Sequence, residues 1–351
     1  MTNKLPDTMR AVVLQQEYDE LAEAIRSLRV VRRPVPQPGH GQVLVRIEAA
    51  PCNPSDLVAL QGKYIVRKTL PSTPGWEGAG EVVAHGGGLL GRWLKGKRVA
   101  CALEGDRDGT WAEYFVAQAT QCVPLRAGIA YRQAAGLIVN PLTALGLLDV
   151  ARRGGHRAAV MNAAASQLGR MLLRICGERE YPLICVVRRE AQVELLRSLG
   201  AEHVLNSSDD DFRESLAESS ERLNATIAWD AVAGEMTGVL LSCLPPGSEV
   251  RVYGALSEAP CSEITPGDLL VGRKAIRGFY LPQWLHGRNL LRRLAAANRV
   301  QRMIQSGLIE TKIQRRVALE DVASGIEQYC GNMTDGKIHL VPGKEPASKE
   351  G

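Results

Sequence analysis

The chain has 351 residues, 45% hydrophobic and 23% charged, the balance of a soluble globular protein long enough for two domains with sizeable cores. Its formal charge of +5 is spread without a block of like charge, which argues against a nucleic-acid-binding surface and for anionic small molecules such as phosphorylated cofactors. No apolar run approaches the roughly 20 residues needed to span a bilayer, so no membrane partner is expected.

The N-terminal "MTNKLPDTMRAVVLQQ" carries Asp7 and has no apolar signal core, so a cytoplasmic location is expected. The cysteines (Cys52, Cys101, Cys122, Cys176, Cys185, Cys243, Cys261 and Cys330) are scattered and form no CxxC pair. Neither a zinc knuckle nor a disulfide framework is predicted. The first third reads as short strands: "AVVL" at Ala11, "VLVRIEAA" at Val43, "GEVVA" at Gly80, "KRVAC" at Lys97 and "AEYFVA" at Ala112. Near Leu125 the pattern changes. The apolar strands "RAAVMN", "PLICVVR", "AEHVLN", "ATIAWDAV" and "SEVRVYG" alternate with helix-length segments, which predicts a doubly wound parallel sheet. A helix from Asn289 to Gln305, the segment "ETKIQRRVALEDVASGIEQYC" and an apolar "KIHLV" follow. The tail "PGKEPASKEG" is polar and predicted to be disordered.

"AAVMNAAASQLGRMLLRIC" is a strand, a small-residue turn and an amphipathic helix, in which Ala164 and Ser166 take the first two glycine places of a dinucleotide fingerprint and Gly169 the third. Small side chains let the backbone approach a pyrophosphate at the positive end of the helix. The next strand ends "VVRRE" where an NAD-binding fold carries an acid for the ribose 2′-hydroxyl. Arg188 and Arg189 suit a 2′-phosphate, which guanidinium groups bind bidentately, so NADPH is the expected cofactor. Further upstream, "QGKYIVRKTLPSTPGWEG" offers one proton donor, Tyr64. A phenol is protonated at pH 7 and can donate to charge developing on a substrate; the alternative is a ring that packs at a domain rim.

These motifs carry a resemblance. The segments "NPSD", "QGKY", "GWEGAGEVV", "GTWAEY", "NPLTA", "NAAASQLG", "VVRRE", "LGAEHVL", "VYGALS", "RGFYLPQW" and "DGKIHL" run from Met9 to about Pro342. Through them the chain resembles the zinc-independent, quinone oxidoreductase-like medium-chain dehydrogenase/reductases, and among these the NADPH-dependent trans-2-enoyl-CoA/ACP reductases. The resemblance implies an α/β fold, a Rossmann sheet plus a mostly β GroES-like catalytic domain. The expected boundaries are 1–124 for the first catalytic segment, 125–275 for the Rossmann domain, 276–342 for the return segment and 343–351 for the disordered tail.

By the same resemblance Tyr64 matches a tyrosine that assists proton delivery and Asn140 a cofactor-binding asparagine. Ala165, Ser166, Gln167 and Leu168 match the pyrophosphate turn, and Arg188, Arg189 and Glu190 the adenosine phosphate loop. Tyr253, Gly254, Ala255 and Leu256 match the lining of the cofactor cleft. Phe279, Tyr280, Leu281 and Pro282 match residues bordering the nicotinamide, which Lys337 would reach from the C-terminal segment. Where metal-dependent relatives carry zinc ligands this chain has Asn53, Trp76 and Asn140, no thiolate–imidazole set, so no catalytic metal is expected. Asn53 and Trp76 are instead expected in the substrate pocket. The chain departs from the family at Ala165 and Gln167, which replace an asparagine and a glycine, and at Trp76, large for an acyl pocket.

The implied reaction is NADPH-dependent reduction of the 2,3 double bond of an enoyl-CoA or enoyl-ACP, with hydride to the β-carbon and Tyr64 aiding protonation. An NADPH quinone or enone reductase and a non-catalytic NADPH-binding relative remain as alternatives. A homodimer is expected from the resemblance. The arginines of "HGRNLLRRLAAANRVQRM" read as a solvated helix face, and no histidine has ligand spacing.

Overall fold

The computed structural model describes residues 5–343, and the tail beyond Gly343 lies outside them. The chain divides into two compact units, Met1–Val139 with Ala297–Gly351, and Asn140–Ala296.

In the first unit β1 (Thr8–Val13) pairs antiparallel with β2 (Arg29–Pro34), an element that the sequence pattern does not announce. The main sheet is built on β3 (Gln42–Pro51), which carries β4 (Glu77–His85). Onto β4 follow β5 (Arg98–Ala102) and, beyond β6 (Tyr114–Gln118) in the chain, β7 (Cys122–Pro124); β6 itself pairs with β3. Alternation puts Val43, Val45 and Ile47 of β3 in one core with Val82, Val99 and Phe115.

The second unit holds β8 (Ala158–Met161), β9 (Leu183–Val187), β10 (His203–Asn206), β11 (Ala225–Asp230), β12 (Glu249–Val252) and β13 (Ala275–Gly278). All run parallel in the order β10-β9-β8-β11-β12-β13 among the described residues. That is the dinucleotide-binding order, with its crevice where the order reverses beside β8. Every residue of β8 and β9 is buried, as expected for strands covered on both faces. The chain then returns to the first unit with β14 (Ile313–Ala318) and β15 (Lys337–Val341), where His339 lies opposite Pro51 of β3.

The unit boundaries differ from the expected ones. Residues 125–139 stay with the first unit because Ile129 and Ala134 pack on Ala49, Ala79 and Val341. The nucleotide unit runs past 275 because "AIRG" pairs with β12 as its sixth strand. Residues from Ala297 rejoin the first unit, where the Gln301 side chain accepts from the Arg126 amide at 2.8 Å and donates to the Pro124 carbonyl at 3.2 Å.

Candidate active site

In the first unit the site grows from one helix start. Pro54 opens helix Pro54–Leu60 where its missing N–H is harmless, and Asn53 caps it. The Asn53 N–H donates to Asp56 Oδ2 at 2.7 Å, the reciprocal half of a capping box. Asp56 is fully buried, and its other oxygen, Oδ1, accepts the Trp76 N–H at 3.1 Å. One carboxylate thus ties the helix start to the strand entering β4.

The Asn53 side chain works in both directions. Its Nδ2 donates to Glu77 Oε1 at 3.1 Å, and its Oδ1 accepts from Lys337 Nζ at 2.5 Å. Lys337 also donates to the Cys52 carbonyl at 3.2 Å. Glu77 Oε2 accepts from the Ile138 and Val139 amides at 3.0 and 2.9 Å, a carboxylate at the start of helix Val139–Arg153. Burial pushes the Glu77 carboxyl up and the Lys337 ammonium down. Each is held inside only because partners satisfy it.

Tyr64 and Trp76 meet directly, with ring centroids 4.9 Å apart and tilted by 41°. Lys68 lies over the same indole, its Nζ 4.9 Å from the ring centroid, and donates to the Thr73 carbonyl at 2.8 Å. Burial lowers the Lys68 ammonium to about 8. So Asn53, Tyr64, Trp76 and Lys337 form one connected cluster, to which the structure adds Asp56, Lys68 and Glu77. Among the described residues no group of three His, Cys, Asp or Glu side chains is placed to hold a metal.

Burial also raises the Asp56 carboxyl to about 7 against an ordinary 3.8. A folded-state value above the unfolded one contributes stability at low pH that is lost as pH rises through about 7. The urea midpoint of the wild type relative to Asp56→Asn is therefore expected to be highest below pH 4 and to fall between pH 4 and 7. A difference that is flat across that window would count against this assignment.

In the second unit, β8 leads into Asn162 and a turn that opens helix Gln167–Glu178. Ser166 caps the helix by accepting the Gly169 N–H at 3.1 Å. A Cβ on Gly169 would lie 2.2 Å from the Ala164 carbonyl oxygen, so the turn and helix close to a distance that only glycine permits. Asn162 donates to Asp230 Oδ1 at 2.6 Å and accepts from the Ala231 amide at 2.7 Å. Asp230, buried at the end of β11, also accepts from the Val232 and Ala233 amides and from Thr237. This fixes the turn that holds Ala165, Ser166, Gln167 and Leu168 against the end of β11. Tyr253, Gly254, Ala255 and Leu256 follow β12, where the Tyr253 amide donates to the Asp230 carbonyl at 2.8 Å. The Tyr253 hydroxyl is buried without a hydrogen-bond partner.

Arg188 and Arg189 are exposed at the end of β9, where Arg189 and Glu190 begin the next helix. Ser208 donates to the Arg188 carbonyl at 3.1 Å. Asn140 is half-buried in helix Val139–Arg153. Phe279 packs inside the unit, since a Cβ on Gly146 would lie 2.5 Å from its ring. Tyr280 precedes helix Leu281–His286, whose first turn contains Pro282. A sheet in this order, a close-packed phosphate-type turn and an orphaned hydroxyl past β12 fit a dinucleotide.

The parallel sheet with its fitted turn, in a chain that also carries a mostly antiparallel unit, is the scaffold of nicotinamide-dependent oxidoreductases. An alcohol dehydrogenase GroES-like domain model matches residues 39–127, and a zinc-binding dehydrogenase model matches residues 168–296. A solved Mesorhizobium loti protein, described as a candidate NADPH:quinone reductase, is 32% identical with a TM-score of 0.90, covering 97% of this chain and all of that one. The mitochondrial enoyl-[acyl-carrier-protein] reductase of Bos taurus is 30% identical over 284 residues, 80% of this chain and 74% of that protein. A mycobacterial protein solved with NADPH shares the fold at a TM-score of 0.80 and 24% identity, covering 95% of this chain and all of that one. The chain belongs to the medium-chain dehydrogenase/reductases, in their quinone oxidoreductase-like branch.

Sequence reasoning missed Asp56, Lys68 and Glu77. A signal for Asp56 was present, because it stands three residues after Asn53 at capping-box spacing.

Proposed function

We propose that this protein reduces the 2,3 double bond of 2-enoyl thioesters, CoA- or ACP-bound, with NADPH. The observation that carries the reading is the Tyr64 phenol packed on Trp76, which Asp56 in turn anchors. This cluster supports reading the phenol as the acid that developing enolate charge needs. The turn at Ala165–Leu168, with Tyr253 to Leu256, would hold the pyrophosphate and cofactor body, and Arg188 and Arg189 the 2′-phosphate. When bound there, the reduced nicotinamide supplies a hydride for the β-carbon. Tyr64 then protonates the α-carbon or steadies the carbonyl oxygen, while Asn53 and Trp76 shape the pocket.

A second reading, NADPH quinone or enone reduction, is favoured by the 32% identity to the Mesorhizobium loti protein. NADPH oxidation with crotonyl-CoA and with a panel of quinones separates the two. The expected result is a kcat/KM at least roughly tenfold higher for crotonyl-CoA, one binding increment of about 1.4 kcal/mol. Quinone turnover without crotonyl-CoA turnover would replace this reading by the second.

The proposal includes cytoplasmic residence and a homodimer. No helix among the described residues is long and apolar enough to cross a membrane. The exposed Leu270 and Val271, next in the chain to the edge strand β13, support a face for a second copy of this chain.

A further inference from the structure

Helix Leu89–Leu94 lies between β4 and β5 in the chain and is fixed from its inner side. Leu94 is fully buried in the core of the first unit, and Leu90 packs against the same core. Gly91 sits so close that a Cβ on it would lie 3.3 Å from the His85 Cβ. The fold asks nothing of the outer side. That side nevertheless carries Leu89, 89% exposed, and Trp93, 54% exposed. Four residues apart on a helix, the two share one face. Single exposed apolar residues are ordinary, but here a leucine and an indole stand together on an outward face.

The charges around them have one sign. Arg92 is exposed on the same helix, and Lys95 is exposed at its end. The Lys97 ammonium lies 3.2 Å from the centroid of the Trp93 ring. Arg98, by contrast, is turned inward, donating to the Ile129 carbonyl and lying over the Tyr131 ring. No acidic residue occurs between Glu81 and Glu104, and Glu104 accepts a hydrogen bond from Gln121.

This combination selects the occupant. A neutral apolar partner would leave Arg92 and Lys95 without counter-charges, and a purely acidic one would bury nothing against Leu89. Indole and leucine side chains settle at the boundary between lipid headgroups and acyl chains, and cations beside them meet lipid phosphates. An anionic phospholipid surface satisfies both at once.

We propose that the face formed by Leu89, Arg92, Trp93, Lys95 and Lys97 docks this protein on an anionic phospholipid membrane surface. The expectation of no membrane partner rested on the absence of a spanning run, and a surface contact needs none. The cytoplasmic leaflet, with its negative surface potential, is such a surface. One leucine, one indole and three cations make the contact weak and reversible, far short of a spanning helix. Docking is independent of the reaction catalysed, and none of these residues belongs to the cluster around Asn53 and Trp76 or to the nucleotide turn.

The test co-sediments the full chain with vesicles of phosphatidylcholine alone or in equimolar mixture with phosphatidylglycerol. At low salt the partition coefficient is expected to be at least about tenfold higher on the mixed vesicles, since each cation near an anionic surface contributes roughly fivefold. Lys95→Glu with Lys97→Glu should remove that preference. Leu89→Ala with Trp93→Ala should lower binding by about tenfold, through lost apolar burial. Both double variants should oxidise NADPH like the wild type in vesicle-free buffer. Trp93 is the one exposed residue among the five tryptophans, which gives a readout that needs no variant. Wild-type emission should shift to the blue on mixed vesicles and be quenched by brominated acyl chains. Binding to neither vesicle, equal binding to both, or binding that survives both double variants would each overturn the proposal.

Discussion

Tyr64→Phe is expected to lower kcat for crotonyl-CoA by at least roughly tenfold, within the 10²–10⁴-fold that a positioned acid contributes or just below it. The substitution keeps the ring, and with it the 4.9 Å packing on Trp76, while it deletes the hydroxyl. Tm and NADPH affinity should therefore stay close to wild type, which separates chemistry from folding. Quinone reduction should suffer less, because a reduced quinone takes its protons from water after hydride transfer. Parallel steady-state kinetics and a thermal melt check all of this. Wild-type turnover of crotonyl-CoA by Tyr64→Phe would reduce the tyrosine to packing and move the quinone reading ahead.

The nucleotide unit was the more legible half of the chain, for a physical reason. β8 and β9 are covered on both faces, so they are written as unbroken apolar runs that any local window detects. The phosphate turn kept a single glycine of its fingerprint, and the structure shows why that one is indispensable. Gly169 meets the Ala164 carbonyl, whereas alanines and a serine suffice at the other places. β13 escaped notice as part of this sheet because it is an edge strand, half-buried and carrying Arg277.

The cluster around Asn53 and Trp76 was legible only in part. Lys68 and Glu77 look like ordinary surface charges in any short window, and Asp56 shows there only as the third residue of a capping box. The partners that satisfy Glu77 and Lys337 lie far along the chain: Glu77 pairs with Asn53 across 24 residues and with Ile138 across 61, and Lys337 reaches Asn53 across 284. No periodicity encodes such pairings. Lys337 was anticipated beside a nicotinamide; the structure places its ammonium on Asn53 and the Cys52 carbonyl. The aromatic pair had a better signal, since Tyr64 and Trp76 flank one loop of the first unit and only the closure of that loop was needed to join them.

Replacing both Arg188 and Arg189 with alanine is expected to raise the Kd for NADPH by about 10²-fold and to leave that for NADH within a few-fold of wild type. The two arginines stand exposed at the end of β9, where Ser208 holds the Arg188 carbonyl and the strand order predicts the adenosine end of a dinucleotide. Each charged hydrogen bond to a phosphate contributes on the order of 1.5–3 kcal/mol. Solvent screening favours the lower figure for both, and two such contacts of about 1.5 kcal/mol give about 3 kcal/mol, or roughly two decades. NADH lacks the 2′-phosphate and loses little. The loss for NADPH should shrink as salt rises, because counter-ions compete for the same exposed charges. Fluorescence titration of both cofactors at low and moderate ionic strength measures each of these quantities. Equal affinity of the unaltered protein for NADPH and NADH would remove the basis for NADPH selectivity altogether. A double variant that weakens both cofactors alike would instead make the arginines structural.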